Sequence, residues 1–181
     1  METYSREVLG HRFGQLQPCG SSIVAIAVAD SESRLVAIDG IPRGQRLFGI
    51  EGELSPRPTR YSLQIEIDGH LEPARSGGVE RYFWQYMNHS CQPNVWIRGL
   101  EVHALRDIQP GEDVTFDYNT TEYEMDAPFR CQCGDSSCLG MIRGFRYLNH
   151  LERQRLLPYL PPHLLRHLDP VISRATVVDP Q

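Results

Sequence analysis

Cys131, Cys133 and Cys138 stand in a C-x-C-x4-C run, three thiols within eight residues. Thiolates so crowded repel one another unless a cation sits among them, and zinc takes sulfur ligands in tetrahedral geometry. Three ligands leave one corner open. Cys91, in Asn88-His89-Ser90-Cys91-Gln92-Pro93-Asn94, is the expected fourth, because Cys19 stands alone near the N-terminus. A disulfide inside the run is the alternative, but Cys131 and Cys133 are too close in sequence to bridge easily. A closed four-cysteine site holds structure, so its consequence is positional: it would pin the C-terminal segment onto the Asn88-His89 loop.

Other candidates flank that loop. Asn88 and His89 offer several hydrogen-bond donors and acceptors for a polar ligand, although such a pair also serves ordinary turns. Tyr118 closes the run Gly111-Glu112-Asp113-Val114-Thr115-Phe116-Asp117-Tyr118. A tyrosine at a strand end is commonly a buried residue with a satisfied hydroxyl. Phe116, two residues earlier, shares its face on a strand, and so borders whatever Tyr118 borders. Aromatic residues at alternating strand positions, Tyr61 included, also serve as core. Glu112, in Pro110-Gly111-Glu112, reads as a turn-stabilising carboxylate, and Asn94 as a structural residue.

Taken in order, N-H-S-C-x-P-N, G-E-x-x-x-F-D-Y and C-x-C-G-x-x-x-C-x-G resemble a SET domain followed by a post-SET zinc knuckle. The resemblance covers about residues 80–141, with a fainter match from Arg34-Leu35-Val36-Ala37-Ile38-Asp39-Gly40-Ile41-Pro42-Arg43-Gly44. It implies a mainly β fold of small sheets, a knot-like C-terminal threading to which Asn94 belongs, the zinc knuckle and short C-terminal helices. It implies an S-adenosylmethionine-dependent methyltransferase acting on protein lysine, with Tyr118 as catalytic tyrosine and Phe116 and Tyr61 along the lysine channel. A phenylalanine at 116 implies products beyond monomethyl. Asn88 and His89 would contact the cofactor, and Arg34 and Gln85 fall at its site by position. Two departures stand out: Glu32-Ser33-Arg34 occupies the place of the family's Gly-x-Gly turn, and Gln85 that of an arginine. Only glycine allows the closest backbone approach.

The elements that must position these residues are short. Strands are expected at Ile23–Val28, Arg34–Ile38, Gln45–Ile50, Tyr61–Ile67, Val95–Ile97, Val102–Leu105 and Val114–Phe116, punctuated by Gly, Pro and Asp turns. Helix is expected around Glu80–Tyr86, Leu151–Leu157 and His163–Leu168. With 181 residues the chain fits one core, divided by motif into an N-terminal segment (1–19), the SET domain (20–124), the zinc segment (125–145) and a helical extension (146–181).

A net charge of −5 without a basic face argues against nucleic-acid binding. It suits a basic, histone-like peptide or a small amine. No apolar run is long enough to span a membrane and the N-terminal residues lack a basic stretch followed by an apolar one, so an intracellular, cytoplasmic or nuclear setting is expected; clustered cysteines agree with a reducing compartment. The chain contains no lysine: all 18 basic residues are arginine. Genome composition or avoidance of self-modification would each produce that. A methyltransferase of small metabolites and a non-catalytic SET-like binding module remain alternatives to lysine methylation.

Overall fold

The computed structural model describes residues 14–29, 32–74 and 78–168. Val24-Ala25-Ile26-Ala27-Val28-Ala29 alternates β-branched residues with alanine, a pattern that suits a strand buried on both faces. It forms β2 (Val24–Ala29), between β1 (Gln15–Gln17) and β3 (Glu32–Ala37), in an antiparallel sheet. Period two sorts its side chains. Val24, Ile26, Leu35 and Ala37 enter the main core, whereas Ala27 and Val36 pack with Leu16 and Ile38 on the other face.

A second sheet joins β4 (Arg46–Gly49) to the hairpin of β9 (Val95–Arg98) and β10 (Glu101–Ala104). Gly99-Leu100 makes the tight turn between them, with Gly99 at φ 63°, where a side chain would be strained. The third sheet sets β7 (Gly69–Glu72) between β5 (Glu53–Ser55) and β6 (Leu63–Glu66). Both sheets contribute to the core through Phe48, Leu63, Leu71, Val95, Ile97 and Val102.

A two-residue pairing joins the two motif segments. β8 (Asn88–His89) lies parallel to β11 (Thr115–Phe116), which brings the two motif segments side by side. Asn94 clamps this crossing: its Nδ2 donates to the Asp113 carbonyl at 2.8 Å and its Oδ1 accepts from Thr115 N–H at 2.9 Å. Glu112 accepts from Gln109 N–H at 2.8 Å and pairs with Arg106, the turn role read for it. A last ribbon, β12 (Phe129–Arg130) with β13 (Met141–Ile142), brackets the cysteine run.

Helix is scarce. α1 (Gly78–Arg81) runs into a 3-10 turn at Phe83–Tyr86, and α2 (His150–Leu156) and α3 (Pro162–Leu165) flank a 3-10 turn at Leu157–Tyr159. Asn149 and Glu152 form a reciprocal capping box at the start of α2. Pro158, Pro161 and Pro162 keep the C-terminal helices short. Leu156, Leu160, Leu164 and Leu168 close on Phe145 to make a separate small core.

Two local expectations change. The strand read at Tyr61–Ile67 begins only at Leu63, because Thr59 and Ser62 exchange side-chain and backbone hydrogen bonds that fold 59–62 into a turn. Tyr118 begins a 3-10 turn (Tyr118–Thr120) rather than ending a strand, since Asp117 caps it by accepting from Asn119 N–H at 3.0 Å. Most of 1–19 and the end of 146–181 lie outside the described residues.

Candidate active site

The ribbon β12–β13 and the 88–94 loop bring the sulfurs of Cys91, Cys131, Cys133 and Cys138 within 4.8 Å of one another. Cys91 Sγ is 3.9 Å from Cys131 Sγ and 4.0 Å from Cys138 Sγ. A zinc tetrahedron with bonds of about 2.3 Å has sulfur–sulfur edges of ~3.8 Å, so the four residues fit that ion. Backbone N–H groups of Leu139, Cys133 and Gly140 point at Cys91, Cys131 and Cys138 at 3.4–3.5 Å, an arrangement that favours thiolates. Burial alone opposes ionisation, holding the Cys91 thiol well above its ordinary range and pushing Cys131 up to about 11. A divalent cation is what would reverse that.

His89 sits between this centre and Tyr118. Its side chain is 1 % exposed. Nδ1 accepts from Tyr118 N–H at 3.2 Å, which leaves the proton on Nε2, 3.3 Å from Cys91 Sγ. The ring meets Tyr118 and Phe129 edge-on, with centroids 5.3 and 5.8 Å away. Burial lowers His89 to about 4, so the imidazole is neutral and the 3.6 Å approach of Asp117 Oδ1 is not an ion pair. One imidazole thus joins Cys91, one of the four clustered cysteines, to the backbone of Tyr118.

Tyr118 borders a narrow pocket of about 50 Å³ with Phe116, Tyr61, Leu63, Trp84, Gln85, Met87 and Glu122 among its walls. Ordinary small-molecule sites hold ~300–1,000 Å³; this one suits a slender chain. The Tyr118 hydroxyl donates to the Met87 carbonyl at 2.8 Å, which fixes its orientation and leaves oxygen lone pairs free to accept. Burial pushes its pKa up to about 12, so it stays protonated. Phe116 lies against it, centroids 4.7 Å apart. Tyr61 stands at the mouth, 56 % exposed.

The cofactor candidates are dispersed. Asn88 is exposed on β8, beside the buried His89 ring. Arg34 pairs with Asp113 at 3.2 Å. Gln85 donates to the Tyr82 carbonyl at 2.9 Å and lines the Tyr118 pocket. Phe129 and Glu122 were not singled out from the sequence. Glu122 follows Tyr118 by four residues, and its N–H donates to the Tyr118 carbonyl at 3.0 Å. Phe129 carried no signal, because its approach to His89 depends on how β12 is placed.

The SET domain family model matches residues 19–119, more than half of the chain. The chain belongs to the SET-domain family. Among curated relatives, this SET domain is 28% identical over 151 residues to a "Histone-lysine N-methyltransferase, H3 lysine-36 specific" of Yarrowia lipolytica, covering 69% of this chain and 19% of that protein. It is 37% identical over 83 residues to "Methyltransferase flvH" of Aspergillus flavus, covering 44% of this chain and 46% of that one. The chain therefore spans less than a fifth of the first relative, whereas the second is of nearly its own size. In fold, it aligns with a crystal structure of KRYPTONITE "in complex with mCHH DNA, H3(1-15) peptide and SAH", with TM-score 0.50 and 20% identity over 63% of this chain and 28% of that one. The mainly β architecture of small sheets accords with that family. No helix among the described residues is long and apolar enough to cross a membrane.

Proposed function

We propose that this SET domain transfers methyl groups from S-adenosylmethionine to a primary amine, with the side chain of a protein lysine as substrate. The observation that carries this reading is Tyr118, its hydroxyl held by the Met87 carbonyl at the wall of a narrow pocket of about 50 Å³. Methyl transfer to nitrogen is an in-line displacement, so the protein's work is to align the amine and keep water out. Tyr118 oxygen accepts from the amine and orients its lone pair. Phe116 and Leu63 supply apolar walls, and Tyr61 closes the mouth. The bound cofactor supplies the electrophilic methyl group. Asn88 presents an exposed amide for it, and the backbone of β8 runs beside the pocket. Arg34 and Gln85, already bonded to protein groups, would contribute from the rim. The four cysteines, holding zinc, would keep β12 and Phe129 over His89 without touching the reacting atoms.

The histone methyltransferases among the relatives favour a protein substrate of histone type and, with it, a nuclear setting. A second reading, a small amine metabolite, takes in the relative "Methyltransferase flvH", whose name specifies no protein substrate. Labelled methyl transfer screened against histones, basic peptides and small amines tests both. Label on histone lysine is the expected result; label on small amines alone would move the reading to the second. Absence of label on every class, with no cofactor binding by calorimetry, would leave a binding module.

A further inference from the structure

One buried acid beside Tyr118 has no part in the chemistry assigned to that tyrosine. Glu122 is 7 % exposed and lines the same narrow pocket as Tyr118, Phe116 and Tyr61. Its carboxyl accepts from Gln64 N–H on β6 at 2.8 Å and from the Thr121 hydroxyl at 3.4 Å. Gln64 in turn accepts from Tyr123 N–H at 2.8 Å, so acid and strand are laced together. His163 of α3 donates to the Thr121 carbonyl at 2.8 Å and backs the same turn. An acid held this firmly, inside a channel, is costly to ionise without a cation.

We propose that Glu122 is the channel's ammonium receptor: it binds the incoming alkylammonium and takes its proton. This role deepens the methyltransferase reading and rests on it only for the methyl transfer that the freed amine then undergoes. An amine reaches the pocket as R–NH3+. Ammonium loses most of its hydration in a channel of about 50 Å³, and an unpaired charge there is prohibitive. Glu122 carboxylate pairs with it, then receives the N–H proton. The N–H electron pair stays on nitrogen, giving R–NH2 and a neutral carboxylic acid. That neutral amine is the nucleophile a methyl transfer requires. Burial raises Glu122 to about 7, which makes it a competent acceptor near neutral pH. Tyr118, held protonated, cannot take the proton, and the exposed Asp126 stands at the mouth of the pocket.

The titratable and charged groups around Glu122 are Arg60 and Tyr61 before β6, Tyr118 on its own turn, Asp126 beyond it and His163 from α3. Burial lowers His163, and arginine keeps its charge, so neither supplies an anion for the ammonium. Asp126 is the competing anion, and Asp126→Asn serves as the control.

The test uses n-butylammonium, which carries the lysine side chain without its backbone, and 1-butanol as its neutral counterpart. Binding to the full chain is followed by NMR titration at pH 8. Wild type binds n-butylammonium, and Glu122→Gln, which keeps an acceptor for Gln64 and Thr121, weakens it at least tenfold. The same substitution leaves 1-butanol binding unchanged and does not lower the melting temperature, and Asp126→Asn weakens n-butylammonium less than threefold. Should Glu122→Gln fold poorly, wild type alone decides: its affinity falls at least tenfold from pH 8 to pH 5.5 as Glu122 gains its proton, while Asp126→Asn shows the same fall. Equal n-butylammonium binding by wild type and Glu122→Gln, a pH-independent wild type, or no wild-type binding at all would each overturn the proposal. None of these readouts needs the methyl donor, so a failure of methyltransferase activity would be seen separately.

Discussion

In the proposed reaction, Tyr118 carries the chemistry at the scale of single residues. Tyr118→Phe removes the hydroxyl that donates to the Met87 carbonyl and keeps the ring against Phe116 and His89. We expect near-native folding and a methyl-transfer step slowed at least ~tenfold, about 1.4 kcal/mol of transition-state stabilisation. Single-turnover kinetics measures it, and a native rate would remove Tyr118 from the chemistry. Phe116 sets a second outcome. With no hydroxyl to hold the amine or a water, it lets the product nitrogen turn and react again, so wild type is expected to pass the monomethyl state. Phe116→Tyr shifts products toward monomethyl, read by mass spectrometry of the reacted substrate. Glu122 ties a residue to pH. Its carboxyl rises from an ordinary 4.5 to about 7 through burial, so the folded state binds the proton more tightly than the unfolded chain. The stability this confers is fully present below pH 4.5 and is lost as pH rises through 7, by at most about 3.5 kcal/mol at about 1.4 kcal/mol per unit. Glu122→Gln has no such proton, so its stability relative to wild type should rise across that window, followed by urea unfolding at pH 5 and pH 8.

Among elements, the β12–β13 ribbon is held by few backbone bonds and by the four sulfurs it brings together. We expect one zinc per chain by metal analysis. Chelation should release the segment after about residue 125, seen as a loss of amide-exchange protection there with β2 and β3 still protected. Folded, fully reduced protein without zinc would contradict this. The clustering of the four cysteines was legible in the sequence because thiol spacing is itself a geometric statement; so was the strand of alternating Val, Ile and Ala in β2. Tyr61 was not. Its place in the alternation Tyr61-Leu63-Ile65 suggested a strand, but the Thr59 and Ser62 side chains compete for the backbone and turn the chain first. Glu122 was also missed, since its burial depends on β6 arriving from fifty-eight residues away to donate Gln64 N–H. Local pattern carries no trace of such a partner. The C-terminal helices are written in local pattern and prolines, whereas the reach of His163 to the Thr121 carbonyl, behind the Tyr118 turn, depends on tertiary packing.

For the whole molecule, the crossing of β8 and β11 draws three devices together: a metal-binding corner, an aromatic hinge at His89 and a slender channel ending at Tyr118 and Glu122. The Glu32-Ser33-Arg34 stretch is paired with β2 as ordinary strand, so the backbone there presents side chains where the family resemblance implies a Gly-x-Gly turn. Catalysis therefore turns on whether a methyl donor is accommodated beside Asn88. The absence of lysine in the chain helps, because methyl-lysine found in a reaction belongs to the substrate. A decisive experiment incubates zinc-loaded protein with S-adenosylmethionine carrying a labelled methyl group and a lysine-rich histone peptide, then reads label on the lysine nitrogen by mass spectrometry. Wild type is predicted to give labelled methyl-lysine, and Tyr118→Phe to label at least ~tenfold more slowly. Unlabelled histone peptide and unlabelled small amines, from folded, zinc-loaded wild type with the donor in excess, would contradict a methyltransferase built on Tyr118.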